Sequence, residues 1–278
     1  MKFTSQIIQY VRYYLRGETI YRIHSPIGFS LIESIFRRPG NSKFSDLESM
    51  RQELLISKEE IANIDLGAGK SKRNSATVRV ERLAKTSISN ISQCQQLYNL
   101  CQWQDPRTVL ELGTSLGFSS SYLQLAQPNA RLLTIEGNPH LADRAESMHR
   151  KIFKDHLPEI YRGDFSEVLP QLLPTIDNLD LVFIDGNHTF EATSHYLESI
   201  KPVLSVKSML ILHDIYWSTE MTKAWEFAKQ MGSNKMTIDL FHMGIVLFHP
   251  DIYKTEHLTI VPYWMKPWKI GLFARSVH

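Results

Sequence analysis

The sequence of 278 residues has few cysteines and no long apolar run, so it shows neither a disulfide or zinc-site pattern nor a membrane-spanning segment. It has only two cysteines, Cys94 and Cys101, whose spacing fits neither a C-x-x-C pair nor a zinc-ligand pattern. We therefore expect both to be reduced packing residues and the protein to be cytoplasmic. No stretch approaches about 18 consecutive apolar residues, which excludes a membrane-spanning helix, and we expect no membrane partner.

The sequence also lacks an excess of charge of either sign. Lys and Arg total 31 against 29 Asp and Glu, a net charge of +2, whereas a dedicated nucleic-acid-binding protein carries a stronger basic bias. We therefore do not expect a nucleic-acid partner. Residues 70–85 depart from this balance, with six basic residues and one acidic residue. They form either a solvated loop and helix face or an anion-binding flap over a functional site.

Glycine is scarce as well, at 13 residues, or about 5% against a usual value of about 7%. From about residue 105 to 250, short apolar runs alternate with longer segments of helical periodicity, which is typical of a parallel α/β sheet. The predicted strands lie at 109–112, 132–135, 159–161, 181–184 and 209–212. The predicted helices between and after them lie at 118–127, 140–155, 190–201 and 219–231.

This alternation ends in a hairpin, because residues 237–242 and 244–248 are separated by too few residues for a crossover helix. The chain therefore divides into three parts. Residues 1–90 are predicted to be a helical extension or lid, with helices at about 3–16, 27–36 and 76–85. Residues 91–250 form the α/β domain. Residues 251–278 form an aromatic and proline-rich tail, which is either a subunit contact in a homodimer or a strap over the core.

The first candidate ligand-binding loop follows the strand at 109–112. Its glycines allow the backbone to approach a ligand closely, and a helix beginning near Phe118 directs free N–H groups toward that ligand. The glycines have G-x-x-x-G spacing and not the G-x-G-x-x-G spacing of a pyrophosphate-binding loop, so the loop is better suited to bind a carboxylate than a diphosphate. The residues assigned to this site are Glu111, Gly113, Thr114, Ser115, Gly117, Phe118 and Ser119.

Two further strand ends carry acidic residues. Glu136, followed by Gly137, lies where a ribose diol would bind if a nucleoside crossed the first loop. Gly163, Asp164 and Phe165 offer a carboxylate for an adenine amine and an aromatic face for its ring. The alternative for each acid is a structural role as the N-cap of the following helix.

These motifs resemble the class I S-adenosylmethionine-dependent methyltransferases, and among them the small-molecule O-methyltransferases related to catechol O-methyltransferase. The resemblance covers residues 105–250. It implies a Rossmann-like methyltransferase fold with a seven-stranded, mostly parallel sheet and a closing antiparallel hairpin. It also implies that the loop from Glu111 to Ser119 holds the methionine carboxylate, that Glu136 binds the ribose, and that residues 163–165 lie beside the adenine.

The resemblance further implies a divalent cation, magnesium or manganese, held by Asp185 and Asp214 at the next two strand ends. Ile215 stands where the family has an asparagine, which leaves the need for a metal open, and His213 is the candidate third ligand. Besides being a candidate metal ligand, Asp185 is a candidate catalytic residue and a candidate cofactor-binding residue.

His188 is the first candidate for a general base. It follows Asp185 by three residues, where the catechol enzymes carry a lysine, and histidine titrates near neutral pH. His213 is the second candidate. A hydrogen-bonded structural role is the alternative for both.

The sequence therefore predicts transfer of a methyl group from S-adenosylmethionine to an oxygen of a small-molecule acceptor. The alternatives are an RNA-modifying methyltransferase and a non-catalytic cofactor-binding protein; an NAD-dependent oxidoreductase is disfavoured by the missing G-x-G-x-x-G and the hairpin. Tyr216 and Trp217 either stack on the acceptor or cover the sheet edge. The glycine-containing loop at 64–73, with Arg79, and the segment His24-Ser25-Pro26 are candidates for closing over the site.

Overall fold

The computed structural model describes residues 2–40, 44–62 and 77–266, with side chains from residue 6 onward. The loop at 64–73 lies outside the described residues, as do Lys70, Lys72 and Arg73 of the basic segment. Pro267 and Trp268 of the tail also lie outside them.

A single large sheet organises the described part of the chain. It contains eight strands, which are β3 (Thr108–Leu112), β4 (Arg131–Glu136), β5 (Glu159–Arg162), β6 (Leu179–Ile184), β7 (Leu204–His213), β8 (Lys235–Asp239), β9 (Met243–Phe248) and β10 (Glu256–Thr259). Their order in the sheet is β10-β8-β9-β7-β6-β3-β4-β5. Strands β3 to β7 are parallel to one another, and β9 is antiparallel to both β7 and β8. The predicted mostly parallel sheet with a closing hairpin is confirmed.

The predicted strand count of seven is wrong by one. The additional strand is β10, which pairs in parallel with β8 at the edge of the sheet. Its sequence, Glu-His-Leu-Thr, contains one large apolar residue, because an edge strand is not enclosed on both sides. Apolar runs therefore could not reveal it.

Helices cover both faces of the sheet because successive residues of a buried strand point to opposite faces. Val109 packs with the layer that contains α2 (Pro26–Phe36), α5 (Ile91–Gln104) and α6 (Phe118–Ala126). Leu110 packs with the opposite layer, which contains α8 (Phe165–Leu172), α9 (Phe190–Ile200) and α10 (Thr219–Gln230). Helix α7 (Pro139–Ile152) connects β4 to β5. Helices α6, α7, α9 and α10 lie at their predicted positions, within a few residues. No bounds were predicted for α8, which only the N-cap interpretation of Asp164 indicated.

The N-terminal part is helical, as predicted, but its details differ. Helix α1 (Lys2–Arg16) and helix α2 match the prediction. The helix predicted at 76–85 begins later, as α4 (Val80–Thr86), because β2 (Thr77–Arg79) pairs with β1 (Glu60–Ala62). Helices α3 (Ser45–Leu55) and α5 were not predicted, although Asn90 and Gln93 form a capping box that marks the start of α5.

The described part of the tail lies against α1. The Tyr13 hydroxyl donates to the Ile260 carbonyl at 2.5 Å, and the Lys266 ammonium donates to the Gly17 carbonyl at 2.6 Å. These contacts correspond to the interpretation of the tail as a strap. Among the described helices, none combines the length and apolar character needed to cross a membrane.

A buried ion pair joins the N-terminal part to the α/β domain. Arg51 on α3 is 6% exposed and lies 3.2 Å from the Glu48 carboxylate. Its guanidinium also donates to the Ser89 carbonyl at 2.9 Å and lies 4.6 Å from the centre of the Phe118 ring. Glu48 in turn accepts a hydrogen bond from Tyr122 on α6. One buried cation therefore holds three separate elements together.

We expect Arg51→Met to lower the free energy of unfolding by about 3 kcal/mol, because it leaves the Glu48 carboxylate poorly solvated and without its partner. The matched control is Arg150→Met, which removes an exposed partner of Glu146 and should change the stability by less than about 0.5 kcal/mol. Urea denaturation measures both. Equal effects of the two substitutions would contradict a structural role for the buried pair.

Candidate functional site

A cavity of about 540 Å³ opens at the carboxyl ends of the central parallel strands. This is where ligands bind in open α/β sheets. The sequence-predicted residues that line it are Gly113, Thr114, Ser115, Phe118, Ser119, Glu136, Gly137, Asp164, Phe165, Asp185, His188, His213 and Asp214. Glu111, Gly117 and Gly163 do not line it.

The loop after β3 forms the floor of the cavity. Gly113 has φ of +105°, and a Cβ atom there would lie 2.3 Å from the Asp185 carbonyl oxygen, so no other residue fits without moving the backbone. Gly117, with φ of +83°, precedes α6 and packs against Ala145 and Met148. The two glycines therefore turn the chain so that Phe118 and Ser119, the first residues of α6, line the cavity.

Glu136 joins the ends of two neighbouring strands. One of its carboxylate oxygens accepts from the Ser115 N–H at 2.7 Å, and the other accepts from the Asn138 N–H at 2.8 Å. Burial raises the pKa of Glu136, although these backbone hydrogen bonds oppose the rise. The N-cap of α7 is Asn138 and not Glu136, so the alternative structural role does not apply to this acid.

Glu111 lies beneath the loop, fully buried. One of its oxygens accepts from the Thr134 hydroxyl at 2.6 Å, and Thr134 lies 2.5 Å from the hydroxyl of Thr114. Burial raises the pKa of Glu111 to about 7, against an ordinary value of 4.5. Because it does not reach the cavity, Glu111 can act on a ligand only through the loop above it.

Asp164 and Phe165 form another part of the cavity wall. Asp164 is the N-cap of α8, and its Oδ1 accepts from the backbone N–H and the hydroxyl of Ser166. The structural role proposed for Asp164 is therefore present, and it uses one of the two carboxylate oxygens. The Phe165 ring packs edge-on against Tyr196, a cavity-lining residue that the sequence did not indicate.

The β6 and β7 ends bring three metal-ligand side chains together. Asp185, His188 and Asp214 each offer a ligand atom, and these atoms lie within 4.8 Å of one another. The two carboxylates suit a magnesium or manganese ion, whereas the imidazole is a less usual ligand for either. The set differs in one member from the sequence prediction, because His188 takes the place of His213.

His213 instead forms an ion pair. Its Nδ1 lies 3.1 Å from Asp185 Oδ1 and 3.6 Å from Asp214 Oδ1. Burial favours the neutral imidazole, but the two carboxylates outweigh it and raise the pKa of His213 to about 9. An imidazole that is already protonated at neutral pH cannot accept a proton. This charge state favours His188 over His213 as the candidate base.

The wall formed by α4, α5 and the connection between them was not singled out from the sequence. It contributes Leu83, Thr86, Ser87, Ile88, Ser89 and Gln93 to the cavity. Of these, only Gln93 belongs to a recognisable motif, the capping box of α5, which indicates a helix start and not a ligand site. The packing of the N-terminal part brings these residues here.

Tyr216 and Trp217 have different environments. Trp217 lines the cavity and is 51% exposed. The Tyr216 hydroxyl donates to Asp239 at 2.6 Å, and its ring stacks on Phe241. Tyr216 therefore packs over the turn between β8 and β9, and of the two residues only Trp217 lines the cavity.

The described parts of the two candidate lids do not line the cavity. Ser25 is the N-cap of α2, where it accepts from the Gly28 N–H. Arg79 pairs with Glu60 and Glu81, and Lys85 pairs with Glu81. These contacts match the interpretation of the described basic residues as a solvated face.

Residues 110–215 match the family described as a methyltransferase domain. The transmembrane O-methyltransferase of Propithecus coquereli is 40% identical over 80 residues, which cover 28% of this chain and 29% of that protein. The catechol O-methyltransferase of Bos taurus is 36% identical over 85 residues, 30% of this chain and 31% of that protein. The chain thus aligns with less than a third of the length of these two relatives.

Solved structures with the same fold include two O-methyltransferases. The enzyme from Bacillus cereus, in complex with SAH, has a TM-score of 0.53 at 16% identity and covers 77% of this chain and 93% of its own. TomG from Streptomyces achromogenes, in complex with SAM, has a TM-score of 0.51 at 21% identity, and the superposition covers 58% of this chain and 82% of TomG. The resemblance to class I methyltransferases is confirmed.

We expect the free energy of unfolding of Glu111→Gln to rise relative to the wild type between about pH 5 and 8, by about 3 kcal/mol at most. The folded wild type holds the Glu111 proton up to about pH 7, whereas the unfolded chain releases it near pH 4.5. The stability that this proton contributes is therefore present at low pH and lost as the pH rises, and glutamine has no such loss.

Urea denaturation across this range tests the expectation. Glu146→Gln is the control, because the pKa of Glu146 is lowered by Arg150 and Arg162 and its titration ends below this pH range. A constant difference between Glu111→Gln and the wild type would show that Glu111 is not protonated in the folded protein.

Proposed function

We propose that the chain is an S-adenosylmethionine-dependent O-methyltransferase that acts on a hydroxyl group of a small-molecule acceptor. The observation that carries this proposal is the cavity, which joins the three cofactor-binding motifs to Asp185, His188 and Asp214 in one space. The O-methyltransferases among the relatives and the solved structures support it. We further propose the cytoplasm as its location, in keeping with two buried, free cysteines.

The cofactor would lie along the carboxyl ends of β3, β4 and β5. The loop containing Gly113 and the first N–H groups of α6 suit the methionine carboxylate, since a helix N-terminus carries a partial positive charge. Glu136 would accept hydrogen bonds from the ribose hydroxyls. Asp164, through the oxygen that does not cap α8, and the Phe165 ring would contact the adenine.

When bound, S-adenosylmethionine supplies a methyl group that its sulfonium has already activated. The protein must then align this group with the acceptor and remove one proton. His188 is placed to take the proton of the acceptor hydroxyl, and Trp217 to cover an apolar face of the acceptor. Asp185, His188 and Asp214 are also the residues that would hold a divalent cation, which would lower the pKa of an acceptor hydroxyl. Activity in EDTA separates a base role for His188 from a ligand role.

Calorimetric titration with S-adenosylhomocysteine tests the cofactor site. We expect the wild type to bind, and Glu136→Gln to bind about tenfold more weakly, because hydrogen bonds to a charged group contribute about 1.5–3 kcal/mol. Glu167→Gln, an exposed residue of the first turn of α8, is the matched control and should bind like the wild type. A wild type that does not bind would refute the proposal.

We expect His188→Gln to lower kcat by about 100-fold or more, since general base catalysis typically contributes this much. Its affinity for S-adenosylhomocysteine should change little. The control is His195→Gln, on the exposed side of α9. Turnover is measured with small phenolic and aliphatic alcohols as acceptors, with magnesium and with EDTA. Undiminished turnover of His188→Gln would show that another group removes the proton.

A further inference from the structure

Helix α1 exposes an apolar stripe. Ile7, Ile8, Val11 and Leu15 are 48%, 49%, 47% and 70% exposed, respectively. At about 100° per residue, these four side chains occupy a single arc of about 100°. Tyr13 points to the opposite side, where it is 6% exposed and bound to the Ile260 carbonyl. The helix is thus anchored by one side and presents apolar side chains on the other.

The stripe has a cationic border. Helix α1 contains Lys2, Arg12 and Arg16 and no acidic residue. Arg12 and Arg16 are exposed and, at about 100° per residue, follow directly on one side of the arc. The acidic residue next along the chain, Glu18, pairs with Arg22 at 3.6 Å. A basic amphipathic helix of this kind is typical of proteins that lie on membrane surfaces.

The other border is aromatic and continues into the tail. The Tyr14 hydroxyl donates to the Met265 carbonyl at 2.8 Å, which places residues 263–265 beside this edge of α1. Tyr263 and Trp264 there are 43% and 51% exposed. Tyrosine and tryptophan favour the boundary between lipid headgroups and acyl chains, because one part of each ring system is apolar and another is polar.

We propose that the exposed face of α1, bordered by Arg12, Arg16 and residues 263–265, binds the surface of a membrane that contains anionic lipids. The helix has 15 residues, or about 22 Å, so it would lie in the plane of the interface and not cross it. The expectation of no membrane partner rested on the length of apolar runs, which does not bear on this mode of contact. A second copy of the chain is the poorer occupant, since α1 contains no acidic residue that could neutralise the Arg12 and Arg16 of its partner, whereas anionic headgroups neutralise them.

Helix α1 lies between this surface and the cavity. Gln6, on the side of α1 that faces away from the stripe, donates to the Trp217 carbonyl at 3.4 Å, and Trp217 lines the cavity. Membrane binding would therefore hold the Trp217 side of the cavity about one helix diameter, roughly 10 Å, from the lipid surface, within reach of an amphiphilic acceptor. This consequence for the acceptor rests on the proposed function, whereas the lipid contact itself does not.

Co-sedimentation with vesicles tests the proposal. We expect the wild type to bind vesicles of equal parts phosphatidylcholine and phosphatidylglycerol about tenfold or more tightly than vesicles of phosphatidylcholine alone, and salt to weaken this binding. The triple variant Ile7→Ser, Val11→Ser, Leu15→Ser should bind the mixed vesicles about tenfold or more weakly. The double variant Arg12→Glu, Arg16→Glu should lose the preference for anionic lipid.

The matched control is the double variant Val206→Ser, Lys207→Glu, which changes an exposed apolar and an exposed basic residue on β7 and should bind like the wild type. Circular dichroism and S-adenosylhomocysteine titration verify that the α1 variants fold. The proposal is overturned if the wild type does not bind the mixed vesicles, if it binds both kinds equally, or if the α1 variants bind like the control. It is also overturned if the wild type is a dimer that the triple variant converts to a monomer.

Discussion

The close approach of the Gly113 backbone to the Asp185 backbone determines where the rest of the site can lie. The Asp185 N–H donates to the Leu112 carbonyl at 2.9 Å, and the Gly113 N–H donates to the Ile135 carbonyl at 3.0 Å, so the end of β3 is bound on both sides. A side chain at position 113 would collide with the Asp185 carbonyl. The loop must therefore turn away at this point, and the cavity opens above it, with Glu136 from β4 on one side and Asp185 from β6 on the other.

The charges around the cavity have one dominant sign. Glu136, Asp164, Asp185 and Asp214 line it, and no lysine or arginine of the described residues does. Buried carboxylates are costly unless hydrogen bonds or a cation accompany them. Backbone N–H groups satisfy Glu136, and the His213 imidazole lies within hydrogen-bond distance of Asp185. The negative charge of the other carboxylates, Asp164 and Asp214, favours binding of a positively charged ligand, either the sulfonium of the proposed cofactor or a divalent cation.

Much of the fold and of the part of the cavity proposed for the cofactor could be predicted, because parallel strands bring their carboxyl ends to one edge of a sheet. Gly113, Glu136 and Asp164 lie far apart in the chain, yet they line one cavity because each follows or ends a parallel strand. Their proximity could therefore be predicted without knowledge of any contact between distant segments. The acceptor end could not be predicted in the same way. Tyr216 and Trp217 are adjacent in the sequence, yet a hydrogen bond to Asp239 and stacking on Phe241 turn the first away from the cavity that the second lines.

The sequence by itself determined the alternation of strands and helices, the closing hairpin and the three motifs at the strand ends, because these follow from periodicity and backbone chemistry within short segments. Only the tertiary structure decided that His188 and not His213 completes the candidate metal-ligand set with Asp185 and Asp214, that α4, α5 and their connection form a wall of the cavity, and that the apolar stripe of α1 is exposed. Each of these depends on contacts between segments far apart in the chain, where packing and burial select among arrangements that are locally equivalent.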